Sequence, residues 1–208
     1  MYLPRHFQME NARTKHALMD RYPFATLVTV TDGVIDANPL PLLLNPHRGH
    51  HGVLEGHIAR ANPLVRQSPE RAMALFHGPD SYITPNWYPA RRAHGRVVPT
   101  WHYLSVQAHG TLRLIEDPDW LRTHVAELTA RFEREQTTPW SIEDAPRDYI
   151  DGLCRAIAGI ELRIERLVGK HKAAQHKDAA TQRAVLDGLM AEGWREEEAG
   201  WLSGLSRP

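Results

Sequence analysis

FHGPDSYITPNWYPARRAHGRVVPTWHYLSVQAHG, residues 76–110, is the stretch that decides how this chain folds. It holds two aromatic-rich segments, SYITPNWY (81–88) and VVPTWHY (97–103), separated by the basic insert PARRAHGR (89–96). β-Branched and aromatic residues fit a pleated, half-buried surface, so both segments are expected to be strands. Pro85, Pro89 and Pro99 stand where they would end strands and aim side chains. Trp87, Tyr88, Trp101 and Tyr103 are large rings with polar tips. Such rings can line a pocket for a flat ligand, and they can equally fill a core.

Working outward, the chain has 208 residues, enough for one domain with a substantial core. Lys and Arg number 25 against 25 Asp and Glu, so there is no basic excess of the kind that grips nucleic acid directly. Thirteen histidines would make the chain positive below neutral pH. A single cysteine, Cys154, excludes an internal disulfide framework and a cysteine-based zinc site. Its apolar helical surroundings predict a buried structural thiol. No run is long and apolar enough to span a membrane, and MYLPRHFQ is not a signal peptide. The expectation is a soluble cytoplasmic protein with no membrane partner.

Upstream of the central stretch, Asn11 caps a helix reaching Arg21, and Pro23 stops it. Phe24–Val30 is a strand, Thr31-Asp32-Gly33 a hairpin turn, and Val34–Leu44 the return strand. Pro39 and Pro41 are two apart, which puts their missing N–H groups along one edge and predicts an edge strand or a bulged end. Val53–His57 is a strand, followed by a turn and a short helix over Ala59–Arg66. Arg71–His77 is a strand, and Gly78-Pro79 is expected to turn the chain.

Downstream, Ala108–Glu116 continues the sheet and Asp117-Pro118 opens an amphipathic helix with Leu121, Val125, Leu128 and Phe132 on one face. Pro146–Ala158 is a second helix ended by Gly159; Ile160–Glu165 alternates as a half-exposed strand. Leu167–His176 is expected to be a polar connection and Lys177–Ala191 a helix. Residues 1–191 form a single domain on this reading, and the tail 192–208 is loosely held. The fold class is mainly β with peripheral helices (α+β), the sheet curling into a small barrel or sandwich.

Two clusters suit an anion. GHIARANPL could place amide donors at a helix N-terminus beside Arg60 and Arg66, although a cap with solvated arginines explains it as well. Lys170, Lys172 and Gln175 form the second cluster. The histidines at 47, 50, 51, 57, 171 and 176 lack the rigid spacing of a metal site. There is no nucleophile elbow, dinucleotide fingerprint or Walker loop. Catalytic residues are therefore unassigned, and any chemistry falls to a bound cofactor.

Six segments in order, MYLPRHF, PFATLVTV, GHIARANPL, FHGPDSYITPNWY, VVPTWHY and GKHKAAQH, resemble the PaiB-like family, described as FMN-binding negative transcriptional regulators. The likeness runs from Met1 to about Leu189. It implies a split β-barrel of the FMN-binding type, a homodimer and FMN as cofactor. It further implies cofactor contacts from His57, Arg60, Ala61 and Asn62; from Tyr82, Ile83 and Thr84; from Thr100 and Trp101; and from Lys170, Lys172 and Gln175. The two aromatic segments become adjacent barrel strands joined by a basic hairpin insert. The chain departs from the family pattern at His102, in place of Asn, and at His171, Ala173, Ala174 and His176, in place of Trp, Leu, Ser and Asn. The implied function is a flavin-binding regulator. Alternatives are an FMN-dependent oxidoreductase and a haem-binding or haem-degrading split-barrel protein. Direct nucleic-acid contact stays open.

Overall fold

A computed structural model describes residues 1–208. Its strands are β1 (Gln8–Met9), β2 (Phe24–Thr31), β3 (Val34–Pro41), β4 (Leu43–Asn45), β5 (Val53–Ala59), β6 (Arg71–Ile83), β7 (Thr100–Ile115) and β8 (Ile157–Lys172). The hydrogen-bonded order is β3-β2-β6-β7-β8-β5-β4, with β1 also pairing β8. The helices are α1 (Ala12–Arg21), α2 (Pro63–Gln67), α3 (Pro89–Ala93), α4 (Pro118–Glu133), α5 (Arg147–Arg155), α6 (Ala179–Ala191) and α7 (Glu196–Ser203). The chain divides into two compact units, one of residues 23–75 and 108–166, the other of residues 1–22, 76–107 and 167–208.

In the first of these units β2 and β3 form an antiparallel hairpin, with Thr31 opposite Val34. Asp32 and Gly33 both have positive φ, 52° and 79°. That pair of conformations makes a two-residue turn whose twist matches the strands, and Asp-Gly reaches it at little cost. β3, with Pro39 and Pro41, lies at the end of the sheet order, as the proline spacing predicts. β5 pairs β8 antiparallel from Val53↔Arg163 to Ala59↔Ile157. Asp117 caps α4 by accepting from the backbone N–H groups of Asp119 and Trp120. Leu121 is buried, and Val125 packs on a cluster of Ile142, Ile150 and Cys154. Cys154 is thus a buried thiol, and burial pushes its pKa up. Phe132, expected on the same apolar face, is exposed. β7 and β8 approach most closely at Gly110, where an added Cβ would lie 1.9 Å from the Arg163 carbonyl oxygen.

In the other unit Asn11 caps α1 through its side chain, as the sequence indicates. β1 pairs the end of β8, with Gln8 opposite Lys170 and Met9 opposite Gly169. α6 starts at the Asp178 cap, whose carboxylate accepts from Thr181 N–H. α7 is held at both ends. Near its start, buried Glu198 accepts from Tyr22 Oη at 2.7 Å and pairs with Arg195. At its end two buried histidines reach its carbonyls. His102 Nδ1 lies 2.7 Å from the Leu202 oxygen, and His171 Nε2 lies 2.7 Å from the Trp201 oxygen. The last carbonyls of a helix lack partners within it; His102 satisfies that of Leu202, while the Trp201 carbonyl also accepts from Gly204 N–H.

Several expectations change. Gly78-Pro79 does not turn the chain: β6 runs through it. Ala72, Ala74 and Phe76 are buried before it and Pro79, Ser81 and Ile83 after it, so the signal marks a switch of buried face. The segment 81–88 is strand only to Ile83; Thr84 then caps a 3-10 turn over Pro85–Trp87. The basic insert contains α3, with Pro89 at its first position, and is not a hairpin tip. The helix expected near Ala59 begins at Pro63, because β5 extends to Ala59. α5 ends at Arg155, and Ile157–Gly159 already belong to β8. The expected connection after Leu167 is strand to Lys172, because β1 supplies a pairing partner. Residues 196–203, expected to be loosely held, form α7, with Ala199, Trp201 and Leu202 buried.

Gly110→Ala is expected to lower stability by about 3 kcal/mol, because a backbone oxygen occupies the space a methyl needs; chemical denaturation measures it, and an unchanged midpoint would refute the contact. Burial lowers the pKa of His102 from 6.5 to about 4 and lowers that of His171. Both stay neutral in the folded chain while the unfolded chain takes up protons, so their contribution holds above 6.5 and falls off below it, that of His102 being lost as pH falls toward 4. The melting temperature should drop across that interval, with a shallower fall in His102→Asn.

Candidate functional site

The residues that the sequence nominates fall into both units. In the unit containing residues 23–75 and 108–166 lie His57, Arg60, Ala61 and Asn62. His57 is on β5 opposite Gly159 of β8, and Arg60 follows the strand directly. The Arg60 guanidinium donates to Glu116 at 2.6 Å and to the Arg155 carbonyl at 3.0 Å. It is held in a solvent-exposed ion pair. Asn62 accepts from Leu64 N–H, capping α2, and its side-chain amide donates to Asn38 at 2.8 Å. The α2 N-terminus therefore already holds a side-chain cap. Ala61 is exposed.

His57 is half-buried beside the buried His124, their ring centroids 5.4 Å apart and nearly perpendicular. Trp120 stacks on His124 at 5.0 Å, within 9° of parallel, and lies over Gly159. Burial holds both histidines below the usual imidazole range, His124 at about 4. The aromatic cluster thereby fixes the His57 ring next to β8 in its neutral form.

In the other unit lie Tyr82, Ile83, Thr84, Thr100, Trp101, Lys170, Lys172 and Gln175. β7 alternates, so Thr100 and His102 share one face and Trp101 takes the other. A cavity of about 490 Å³ opens on the first face, lined by Thr100, His102 and Lys172 with Phe7, Tyr88 and Arg96 among its walls. Lys172 Nζ donates to Thr100 Oγ1 at 2.9 Å and sits 5.7 Å from the Tyr103 ring centroid. No carboxylate pairs with it, leaving further ammonium hydrogens for a ligand. Lys170 is buried; it donates to the Tyr2 carbonyl at 3.1 Å and packs over Tyr103 at 5.3 Å. Gln175 braces the loop after β8, accepting from Ala173 N–H and donating to the His6 and His171 carbonyls.

Trp101 and Tyr82 meet edge to face at 6.1 Å, and both are exposed. Ile83 is fully buried, and Thr84 caps the following 3-10 turn. The structure thus gathers Thr100 and Lys172 at one cavity, while Tyr82, Ile83 and Trp101 are elsewhere on β6 and β7. Phe7, Tyr88, Arg96 and Thr181 line the cavity without having been nominated. For His102 a signal was available, since it stands two residues from Thr100 on the same strand face.

This donor set fits a flavin. The cavity has the size of a small-molecule site. It offers aromatic surface from Phe7 and Tyr88, an ammonium and a hydroxyl from Lys172 and Thr100, and a guanidinium from Arg96. Phosphate and ring-carbonyl oxygens need such donors. When bound, a flavin supplies one- and two-electron redox chemistry.

Residues 1–166 match the family described as "Putative FMN-binding domain". An uncharacterized protein of Aspergillus fumigatus is 33% identical over 172 residues, covering 66% of this chain and 66% of that protein. The chain thus spans about two thirds of that relative's length. Protease synthase and sporulation protein PAI 2 of Bacillus subtilis is 26% identical over 194 residues, covering 92% of this chain and 90% of that one. Among solved structures, the FAD and heme binding protein from Mycobacterium smegmatis superposes with a TM-score of 0.59 at 21% identity, covering 90% of this chain and 80% of that one. The shared fold is the flavin-binding split barrel, largely antiparallel with flanking helices. The match across 166 residues makes this chain a member of the FMN-binding domain family to which its PaiB-like motifs point, with a flavin as its cofactor.

Proposed function

We propose that the flavin occupies the cavity on the Thr100–His102 face of β7 and that the chain acts as a flavin-responsive negative regulator of gene expression. The observation that carries the placement is the Lys172–Thr100 pair, a cation without a carboxylate partner in an aromatic-walled cavity. The PaiB-like resemblance carries the regulatory role, and the similarity to protease synthase and sporulation protein PAI 2 runs over nearly the whole chain. Balanced charge, 25 against 25, favours action through a partner over a direct grip on DNA. A homodimer suits the exposed apolar surface: Tyr82 and Trp101 are 48% and 55% exposed in one unit, and Val34 and Ile35 are 67% and 72% exposed in the other.

An FMN-dependent oxidoreductase is the second reading. It draws on Tyr88, whose ring in the cavity wall offers a surface against which a second flat molecule could stack.

FMN should bind saturably, one per chain, by quenching of its fluorescence. Lys172→Met should weaken binding by about tenfold or more, the worth of a charge-assisted hydrogen bond. Full-strength binding by that variant would place the flavin elsewhere. Steady oxidation of a reduced nicotinamide with FMN bound would favour the oxidoreductase, and no turnover with an FMN-dependent change in partner binding would favour the regulator. Trp101→Glu should shift the sedimentation coefficient to that of a single chain if the exposed ring pair is the dimer contact.

A further inference from the structure

His102 has one nitrogen spent and one free. Its Nδ1 lies 2.7 Å from the carbonyl oxygen of Leu202 in the last turn of α7. A carbonyl only accepts, so Nδ1 carries the hydrogen. In a neutral imidazole Nε2 is then a bare acceptor. Nε2 has no partner in the chain, although His102 is 4% exposed and lines the cavity. The groups bearing on this ring are cationic or neutral: Lys172, His171 and His176. Burial and those charges keep it unprotonated at neutral pH, so the acceptor persists under working conditions.

The same cavity wall therefore carries an acceptor, His102 Nε2, and a donor, the Lys172 ammonium, which binds the Thr100 hydroxyl oxygen. The pyrimidine edge of an isoalloxazine is the complement: an N–H flanked by two carbonyls. Resting on the reading that flavin occupies this cavity, we propose that His102 is a specificity-determining residue whose Nε2 accepts the flavin N3–H hydrogen bond, with Lys172 donating to an adjoining ring carbonyl. α7 is then part of the recognition apparatus, because the Leu202 carbonyl fixes which nitrogen is bare. The site selects ligands with an imide-type N–H and rejects those in which that position is alkylated. Asn, which the PaiB-like pattern has at this position, can also accept through Oδ1, so His102 keeps the function with a ring held from behind.

The test compares FMN with 3-methyl-FMN, which lacks the N3 hydrogen, by titration of wild type, His102→Ala and His102→Asn. Wild type should bind FMN about tenfold more tightly than the methylated form. His102→Ala should bind the two within about twofold, and His102→Asn should restore discrimination. A methyl clash unrelated to His102 would instead leave the preference intact in the alanine variant and overturn the proposal. Because the alanine variant also loses the α7 bond, ¹⁵N spectra of wild type give a readout independent of its folding. FMN should shift the bare Nε2 resonance of His102 and leave Nδ1 protonated; 3-methyl-FMN should leave Nε2 unmoved. An Nε2 resonance unchanged by FMN overturns the proposal even while FMN binds. Failure of wild type to bind FMN at all would instead overturn the placement of the flavin in this cavity.

Discussion

Two imidazole hydrogen bonds hold the last helix of the chain. His102 from β7 and His171 from β8 reach successive carbonyls of α7, at Leu202 and Trp201. Both histidines are largely buried, so each bond replaces hydration that the ring and the carbonyl give up. Ala173 and Ala174, just past the end of β8, are buried next in line, and both line the cavity. These positions, with His176, are where the chain departs from the PaiB-like pattern. The departures are mutually consistent: the substituted side chains seat a helix or make room beside the cavity. His176 completes the set by packing on His6 and Phe7. Positions that look in the sequence like the erosion of a motif are, in the structure, packed against α7, the cavity wall or the N-terminal aromatics.

The other unit spends its polar residues differently. Arg60 and Asn62, which look like anion ligands in the sequence, are committed to Glu116, to Asn38 and to the α2 cap. Glu161, buried on β8, is flanked by Arg48 and Arg113 at 2.7 and 3.0 Å. A carboxylate in so dry a place requires paired donors, and two arginines supply them. Residue chemistry that suits a ligand suits internal pairing equally well, and only geometry separates the two.

Much of the architecture was legible. The Asp32-Gly33 turn, the Asn11 and Asp117 caps and the proline-marked edge strand β3 are local features, and local chemistry decides them. The losses came from pairing at long range. β8 continues past Leu167 because β1, some 160 residues earlier by register, bonds to it. α7 is ordered because Tyr22, His102 and His171 wait for it, and its own composition says little of this. Thr100 and Lys172, nominated from motif position, meet at the cavity. Trp101 was nominated with Thr100, yet strand alternation sends the two to opposite faces. His102 was visible only as an anomaly, since nothing in the sequence says that a carbonyl would occupy one of its nitrogens.

The unit that carries the cavity is built from three separated stretches, residues 1–22, 76–107 and 167–208. The other unit needs nothing beyond residue 166. During synthesis the chain emerges from its N-terminus, and contacts between distant segments wait for the later one. The pocket wall made by His102, Lys172 and Thr181 therefore joins segments far apart in the sequence and cannot form before the later ones are made. A chain cut short before Leu202 would retain the residues of the earlier unit, with the His102 ring free to turn and either nitrogen able to carry the proton.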